Sequence, residues 1–197
     1  MSVSRQTAAA RSREHTRGRL LSSGVQLFAE RGLNGVTTHD IAREAGVASG
    51  TFYLHFSDKT ALFHEIASDT EARLRSHIEQ ATRSAADLPG FVRAQVEALF
   101  DFGIQNRDTI RILFGGEAGT AGSALLDAFA TSIAEERRRA IASGEMPGEI
   151  DAGVLSQALV GMLSRVLLWW IEESDPVARE TAIETLTRIQ LSGTHPI

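Results

Sequence analysis

The sequence predicts an all-α protein in which a small N-terminal helix-turn-helix domain precedes a larger helical body. Three observations carry this prediction. Apolar residues recur at three- and four-residue steps, and no segment alternates with a period of two. Two short helical segments flank a glycine turn between residues 38 and 56, and basic residues concentrate in the first 60 positions. We expect about nine helices, with boundaries at 1–12 for a basic arm, 13–60 for the helix-turn-helix domain and 61–197 for the body.

The first helix is predicted from about residue 14 to residue 31. Residues 1–12 are small, polar and basic, so we expect a disordered arm there. Leu20, Gly24 and Leu27 then form an apolar stripe at helical spacing. Gly32 follows Arg31 and provides the expected helix terminator.

Two short helices follow, and they form the predicted helix-turn-helix. Thr37 or Thr38 caps a helix that runs to about Ala45, and Gly46 supplies the positive φ that a tight turn needs. The second helix covers residues 49–55, with Phe52 on its inner face. Two helices of about two turns each have the size of a DNA-binding helix-turn-helix.

The remaining helices are longer and belong to the body. Ser57 is the expected cap of a helix that continues to about Ala85. Pro176 follows Ser174 and Asp175, a pattern typical of a helix start. The body helices are predicted at about 90–105, 107–115, 120–143, 151–173 and 176–191.

Charge separates the two parts of the chain. The net charge is −5, yet residues 1–60 hold eight Lys and Arg against five Asp and Glu, and the rest holds twelve against twenty. A basic head on an acidic body is expected when only the head meets phosphate. The outer face of the second short helix carries short polar or flat groups that can approach DNA: Ser49, Gly50, Thr51, Tyr53, Leu54 and His55. Lys59, which opens the next helix, could reach a phosphate.

The segment from Leu20 to Ile66 resembles the DNA-binding domain of TetR-family regulators, the family of the tetracycline repressor. The resemblance rests on several motifs in the same order. They are LFAERG at 27–32, TTHDIAREAGV at 37–47, GTFYLHF at 50–56 and KTAL at 59–62, which begins with the lysine at the start of the fourth helix. It covers roughly a quarter of the chain, whereas the body agrees with the family only in length and helical content.

The resemblance implies roles for individual residues of the head. Phosphates would be held by Thr38, Tyr53, His55 and Lys59. Base edges would lie nearest His39, Ser49, Thr51 and Leu54, and Gly50 would allow close approach. The sequence departs from the family at Ala48 and Ser49, where members often have Ser and Lys. The missing lysine removes a possible guanine contact, and the arginine-rich arm could compensate by entering the minor groove.

Composition excludes several other classes of protein and site. The chain has no cysteine, so disulfides, thiolate zinc sites and cysteine nucleophiles are excluded. The six histidines show no metal-binding spacing, and we predict neither a metal nor a cofactor. The N-terminus lacks the apolar core of a secretory signal, so we expect a cytoplasmic protein. Residues 154–171 could span a membrane, but Arg165 inside the segment and its acidic flanks favour a helix buried between subunits.

A homodimer is the predicted assembly. Apolar groups around the helix at 151–173 cover too wide an arc for one core face, so the helix needs burial on two sides. The last helix adds a second apolar stripe through Val177, Ile183, Leu186 and Ile189. Two such helices from each chain would form a four-helix interface through about residues 151–191. The resemblance implies the same arrangement.

A small-molecule site in the body is the least specific prediction. The candidate lining is a set of large apolar groups and one isolated charge: Phe100, Ile104, Phe114, Met162, Arg165 and Trp169. Most of these apolar groups could equally be ordinary core. Arg165 either pairs with an acid such as Asp101 or meets the polar end of a ligand. The ligand would be apolar or amphipathic.

These features together favour a one-component repressor that binds a palindromic double-stranded DNA operator as a homodimer and is released by a small-molecule effector. One alternative is a regulator of the same DNA-binding type whose body binds a protein partner or no ligand. A more distant alternative is an all-helical enzyme or binding protein, although the body offers no convergent set of titratable groups.

Overall fold

The computed structural model describes residues 2–115, 119–144 and 150–192. Within these ranges the chain forms nine helices and no strand, which confirms the predicted all-α fold. The helices are α1 (Ser2–Arg31), α2 (Thr38–Glu44), α3 (Ser49–Tyr53), α4 (Lys59–Thr82), α5 (Leu88–Gln105), α6 (Arg107–Phe114), α7 (Gly119–Ala142), α8 (Ala152–Glu172) and α9 (Arg179–Ser192).

The N-terminal segment corrects one prediction. Helix α1 begins at Ser2, so residues 2–12, predicted to be a disordered arm, are helical. The segment contains three consecutive alanines and no glycine or proline before Gly18. Alanine and arginine are strong helix formers, so the segment extends the helix that continues to Arg31.

Two helix starts also differ from the prediction. The N-cap of α4 is Asp58, not Ser57, and its carboxylate accepts a hydrogen bond from the Ala61 amide at 2.8 Å. Helix α9 begins at Arg179, three residues after Pro176, where the sequence pattern had placed its start. The carbonyl of Val177 accepts a 2.8 Å hydrogen bond from the Trp170 indole, so this connection is tied to α8 and stays outside the helix.

The buried apolar side chains form two clusters. The head cluster joins α1, α2, α3, the first half of α4 and two residues of α6, Ile112 and Leu113. The body cluster joins Leu74 of α4 with residues of α5, α6, α8 and α9. Phe114 and Phe129 pack against both clusters. Packing therefore continues across residue 60, the predicted boundary between the two parts.

Helix α8 forms part of the body and packs mainly against α7. By length and composition it is apolar enough to cross a membrane, with a mean hydropathy of 1.6 over its most apolar window. Core helices of soluble proteins meet the same criterion. Leu167, Leu168 and Ile171 of α8 are buried in the body.

Candidate DNA-binding surface and body cavity

The start of α2 is fixed by a capping box. The Thr37 hydroxyl accepts a hydrogen bond from the Asp40 amide at 3.1 Å, and the Asp40 carboxylate accepts one from the Thr37 amide at 3.1 Å. This reciprocal pair satisfies backbone donors that a helix start leaves free. Hydrogen bonds from the Thr37 side chain and backbone lower the pKa of Asp40 below its ordinary value. The cap orients the residues that follow it, Thr38 and His39.

The turn between α2 and α3 depends on Gly46, as predicted. Gly46 has φ +63°, a left-handed conformation that glycine adopts without steric cost. A Cβ at this position would also lie 2.6 Å from the guanidinium of Arg19. That guanidinium donates a hydrogen bond to the Ala45 carbonyl, which is one of the free acceptors at the end of α2.

Helix α3 is short, and its inner face anchors it firmly. Phe52 is completely buried and contacts Phe56, with ring centroids 5.8 Å apart. The opposite side is open to solvent, with Tyr53 59% and Leu54 70% exposed. The sequence prediction placed these two side chains on the outer face, and the structure does the same.

Two side-chain hydrogen bonds join α2 to α3 on the exposed side. The Thr38 hydroxyl and the Tyr53 hydroxyl lie 2.9 Å apart. His39 Nδ1 and Ser49 Oγ lie 2.7 Å apart. All four residues were predicted to contact DNA, but no pattern in the sequence indicates that they pair. The bonds fix the relative placement of four groups that would otherwise rotate freely.

Space around the start of α3 is open. A Cβ built on Gly50 would have no atom within 4 Å, so the glycine is not required by packing inside the chain. Thr51, by contrast, is half-buried, with its neighbour Phe52 fully enclosed. The outer surface of α3 therefore presents bare backbone at Gly50, where another molecule can approach closely.

His55 lies at the end of this surface in a basic environment. Burial is the first cause that lowers the pKa of His55, and the charges of Arg13 and Arg17 lower it further. The imidazole is therefore biased towards its neutral form. A phosphate contact by His55 would be a hydrogen bond from a neutral ring, and the nearby arginines would supply the positive charge.

Lys59 has a structural role that the sequence did not reveal. Its ammonium donates hydrogen bonds to the carbonyls of Leu33 and Val36, at 2.8 and 2.9 Å. These carbonyls belong to the connection between α1 and α2. Two of the three ammonium protons are thus committed within the chain, and one remains for the predicted phosphate contact.

Two arginines of helix α1 contact the end of α3 and the residues that follow it. Arg17 pairs with Glu65 of α4 at 2.6 Å and lies over the Phe56 ring, 5.1 Å from its centroid. Arg13 donates a 3.3 Å hydrogen bond to the Leu54 carbonyl at the end of α3. The sequence analysis treated these arginines only as positive charges, because their partners Glu65 and Leu54 lie 48 and 41 residues away along the chain.

The body contains a separate apolar cavity between α4, α5, α7 and α8, with the last residue of α6 also in its lining. Its volume is about 70 Å³, well below the roughly 300–1,000 Å³ typical of small-molecule pockets. The lining is apolar except for one amide and one hydroxyl: Leu74, Ile78, Gln95, Leu99, Phe114, Leu126, Phe129, Ile133, Val160, Leu163 and Ser164. A ligand of drug size would have to separate these helices.

Of the six predicted ligand residues, only Phe114 lines this cavity. Phe100 is completely buried in the body cluster, with its ring against Trp170, and Met162 packs at the edge of that cluster. Ile104 and Trp169 are exposed at the surface. The prediction chose large apolar residues without knowing the rotation of each helix, which decides the side that faces this cavity.

Arg165 also lies outside the cavity lining. It is exposed on α8, one residue beyond the cavity-lining Ser164 and on the outer side of the helix. Its suggested partner, Asp101, instead pairs with Arg179 of α9 at 2.5 Å. Arg165 therefore neither pairs with Asp101 nor faces the cavity.

Comparison with known proteins agrees with the geometry of the head. Residues 20–66 match the sequence profile of the bacterial regulatory proteins of the tetR family. The HTH-type transcriptional activator FasR of Mycolicibacterium smegmatis is 26% identical over 197 residues, covering 92% of this chain and 84% of that protein. The uncharacterized HTH-type transcriptional regulator YdgC of Bacillus subtilis is 27% identical, covering 84% of this chain and 88% of its own.

Solved structures share the fold along nearly the whole chain. The fatty acid degradation regulator FadR from Bacillus halodurans has a TM-score of 0.78 at 20% identity, covering 92% of this chain and 97% of its own. FadR from Bacillus subtilis, solved in complex with stearoyl-CoA, has a TM-score of 0.75 at 17% identity, with coverages of 90% and 98%. Residues 20–66 therefore match the tetR family of bacterial regulatory proteins, and along most of its length the chain is similar to HTH-type transcriptional regulators and shares the fold of the solved ones.

Proposed function

We propose that this protein is a cytoplasmic one-component repressor that binds a palindromic operator as a homodimer and leaves it when a small molecule binds the body. The observation that carries the DNA-binding part is the exposed face of α3, where bare backbone at Gly50 lies beside two fixed polar pairs. Side chains near the start of a recognition helix contact base edges in the major groove, whereas hydroxyls and cations hold phosphates.

The homodimer is proposed to form through α8 and α9. Both helices carry apolar side chains on the sides that face away from the body cluster: Val154 is 70% exposed, Trp169 40% and Ile189 39%. A two-fold interface places the same patch of both subunits in contact and would bury these groups. Leu186 is only 2% exposed within a single chain. We therefore assign Leu186 to the body core and propose an interface that does not depend on it.

The effector is proposed to be an amphipathic molecule with a long apolar chain, such as a fatty acyl thioester. The apolar lining of the body cavity suits such a chain, and the Bacillus subtilis FadR structure contains stearoyl-CoA. Because the cavity holds only about 70 Å³, the ligand must select a conformation in which the surrounding helices lie further apart.

Side chains that pack against both the head cluster and the body cluster would link ligand binding in the body to release of DNA by the head. Phe114 lines the cavity, and both Phe114 and Phe129 pack against the head cluster and the body cluster. Helix α4 also contributes to both clusters, through Phe63 and Leu74. A ligand that moves these side chains changes the position of the head. The ligand would then lower DNA affinity, and DNA would lower ligand affinity by the same factor.

Selection from random duplexes tests the DNA-binding part of the proposal. We expect recovery of a palindrome whose half-sites lie about one helical turn apart, or a multiple of one turn. Recovery of only asymmetric or single-stranded sequences would refute it. The sign of regulation is tested with the selected operator placed before a reporter gene, since the relative FasR is named an activator. Increased expression in the presence of the protein would show that the protein is an activator and not a repressor.

A series of acyl-CoA thioesters of increasing chain length tests the effector. Binding is measured by thermal shift, and release by the anisotropy of a labelled operator. Leu163→Trp fills the cavity and should abolish the response while the protein still binds DNA. The matched control Leu88→Trp introduces the same side chain at a position that is 65% exposed and should respond as the unmodified protein does. An equal response from both variants would place the effector elsewhere, and no response to any thioester would favour a body that binds a protein partner or no ligand.

A further inference from the structure

The polar pair formed by His39 and Ser49 has consequences for base recognition that neither residue would have alone. His39 is the second residue of α2, and Ser49 is the first residue of α3. Their side chains meet at 2.7 Å on the exposed side of the head, beside the open backbone at Gly50. Ser49 lies at the start of the helix, where base contacts are concentrated in helix-turn-helix proteins. Its hydroxyl is therefore already bonded when DNA arrives.

The bond limits what the pair offers to DNA. A neutral imidazole has one nitrogen that donates and one that accepts, and a serine hydroxyl donates one hydrogen and accepts through its lone pairs. If Ser49 donates to His39 Nδ1, then Nε2 carries a hydrogen, and Ser49 Oγ can only accept. If Nδ1 donates to Ser49, then Nε2 accepts and the hydroxyl donates outwards. In both arrangements the pair presents one donor and one acceptor.

This pattern distinguishes the two purines in the major groove. Adenine presents an acceptor at N7 and a donor at N6, whereas guanine presents acceptors at both N7 and O6. One donor and one acceptor match the adenine edge completely and leave one guanine acceptor without a partner. On the basis of the DNA-binding function proposed above, we infer that His39 and Ser49 act as a single unit that selects adenine at one position of each operator half-site.

The neighbouring pair of Thr38 and Tyr53 provides the contrast. Its two hydroxyls also join α2 to α3, at 2.9 Å. Its expected partner is the phosphate backbone, which carries no direct sequence information. Thr38→Val, which breaks this second bond without touching His39 or Ser49, is therefore a control for the general effect of loosening the two helices.

The test is a double-mutant cycle on the operator recovered with the unmodified protein. Dissociation constants are measured for His39→Ala, Ser49→Ala and the double variant against operators changed at each position in turn. The measurements are all made at the same pH, about pH 8. We expect each single variant to lose preference for adenine at the same position, by roughly 5- to 150-fold, the discrimination typical of one good base contact. The double variant should lose no more than either single variant, because both changes remove the same unit.

Melting temperatures and the Thr38→Val control distinguish a loss of base recognition from a loss of protein stability. All three variants should melt within about 2 °C of the unmodified protein, because both residues lie at the surface. Thr38→Val should weaken binding to all operators about equally and leave the adenine preference intact. The inference would be overturned if His39→Ala and Ser49→Ala changed the preference at different positions of the operator. A preference of the unmodified protein for guanine at the shared position would also overturn it. Either result would leave the proposed DNA-binding function intact. If the unmodified protein selects no palindrome at all, the proposed function itself fails.

Discussion

Replacement of Gly50 by alanine separates protein stability from DNA binding, since the structure predicts opposite effects. A Cβ at Gly50 would meet no atom within 4 Å, so the free protein accommodates the methyl group without strain. Gly50 lies within α3, where alanine is favoured over glycine by about 0.5–1 kcal/mol. The Gly50→Ala variant should therefore melt about 1–4 °C higher for a chain of this size. If the backbone contacts DNA there, the same methyl group should weaken operator binding by about tenfold or more, which corresponds to about 1.4 kcal/mol.

The assay combines thermal unfolding with operator titration by anisotropy. Gly18→Ala is the matched control, because a Cβ at Gly18 also meets no atom within 4 Å and this glycine lies in helix α1. The control should gain stability without losing affinity. Unchanged operator affinity of Gly50→Ala would refute close approach at this position. An equal loss in Gly18→Ala would show that the effect does not arise from α3.

Three further predictions concern other parts of the chain. Lys59→Met should lower the free energy of unfolding by about 1.5–3 kcal/mol, because two carbonyls lose a charged donor; an unchanged urea midpoint would contradict these bonds. The lowered pKa of Asp40 means that its stabilising effect is present above about pH 4 and is lost as the pH falls further. Asp40→Asn should therefore flatten the acid side of the stability profile, measured by urea unfolding between about pH 7 and pH 3, and a profile like that of the unmodified protein would refute the cap's contribution. Trp169→Glu should yield folded monomers, measured by sedimentation, because Trp169 is exposed in the single chain. Leu186→Glu should instead unfold the body, because Leu186 is buried. A Trp169→Glu variant that remains a dimer would show that the interface lies elsewhere.

Helix positions in the head were predictable because local chemistry determines them. The threonine cap, the glycine turn and the buried Phe52 each act within a few residues of their partners, and the structure has all three. The start of α9 was predicted wrongly because it depends on a longer contact. The Trp170 indole binds the Val177 carbonyl and ties down the segment in which Pro176 suggested a helix start.

The sequence predicted which side chains of α3 are exposed, but not how the side chains of α2 and α3 pair. The sequence placed Tyr53 and Leu54 on an outer face, because the spacing of Phe52 and Phe56 defines the inner one. It could not pair His39 with Ser49, since that bond requires the crossing of α2 and α3. Pairing of this kind depends on tertiary geometry and has no periodic signal.

Lys59 illustrates that a cation suited to phosphate binding can also stabilise the fold. A sole lysine at a helix start, close to a basic surface, suggests a phosphate ligand from sequence alone. Its bonds to Leu33 and Val36 show that the same ammonium also closes the connection between α1 and α2. That connection leads directly to Thr37, the cap of α2. Loss of Lys59 would therefore weaken DNA binding twice, through one missing charge and through a less fixed α2. A change in salt dependence alone would measure only the first of these effects.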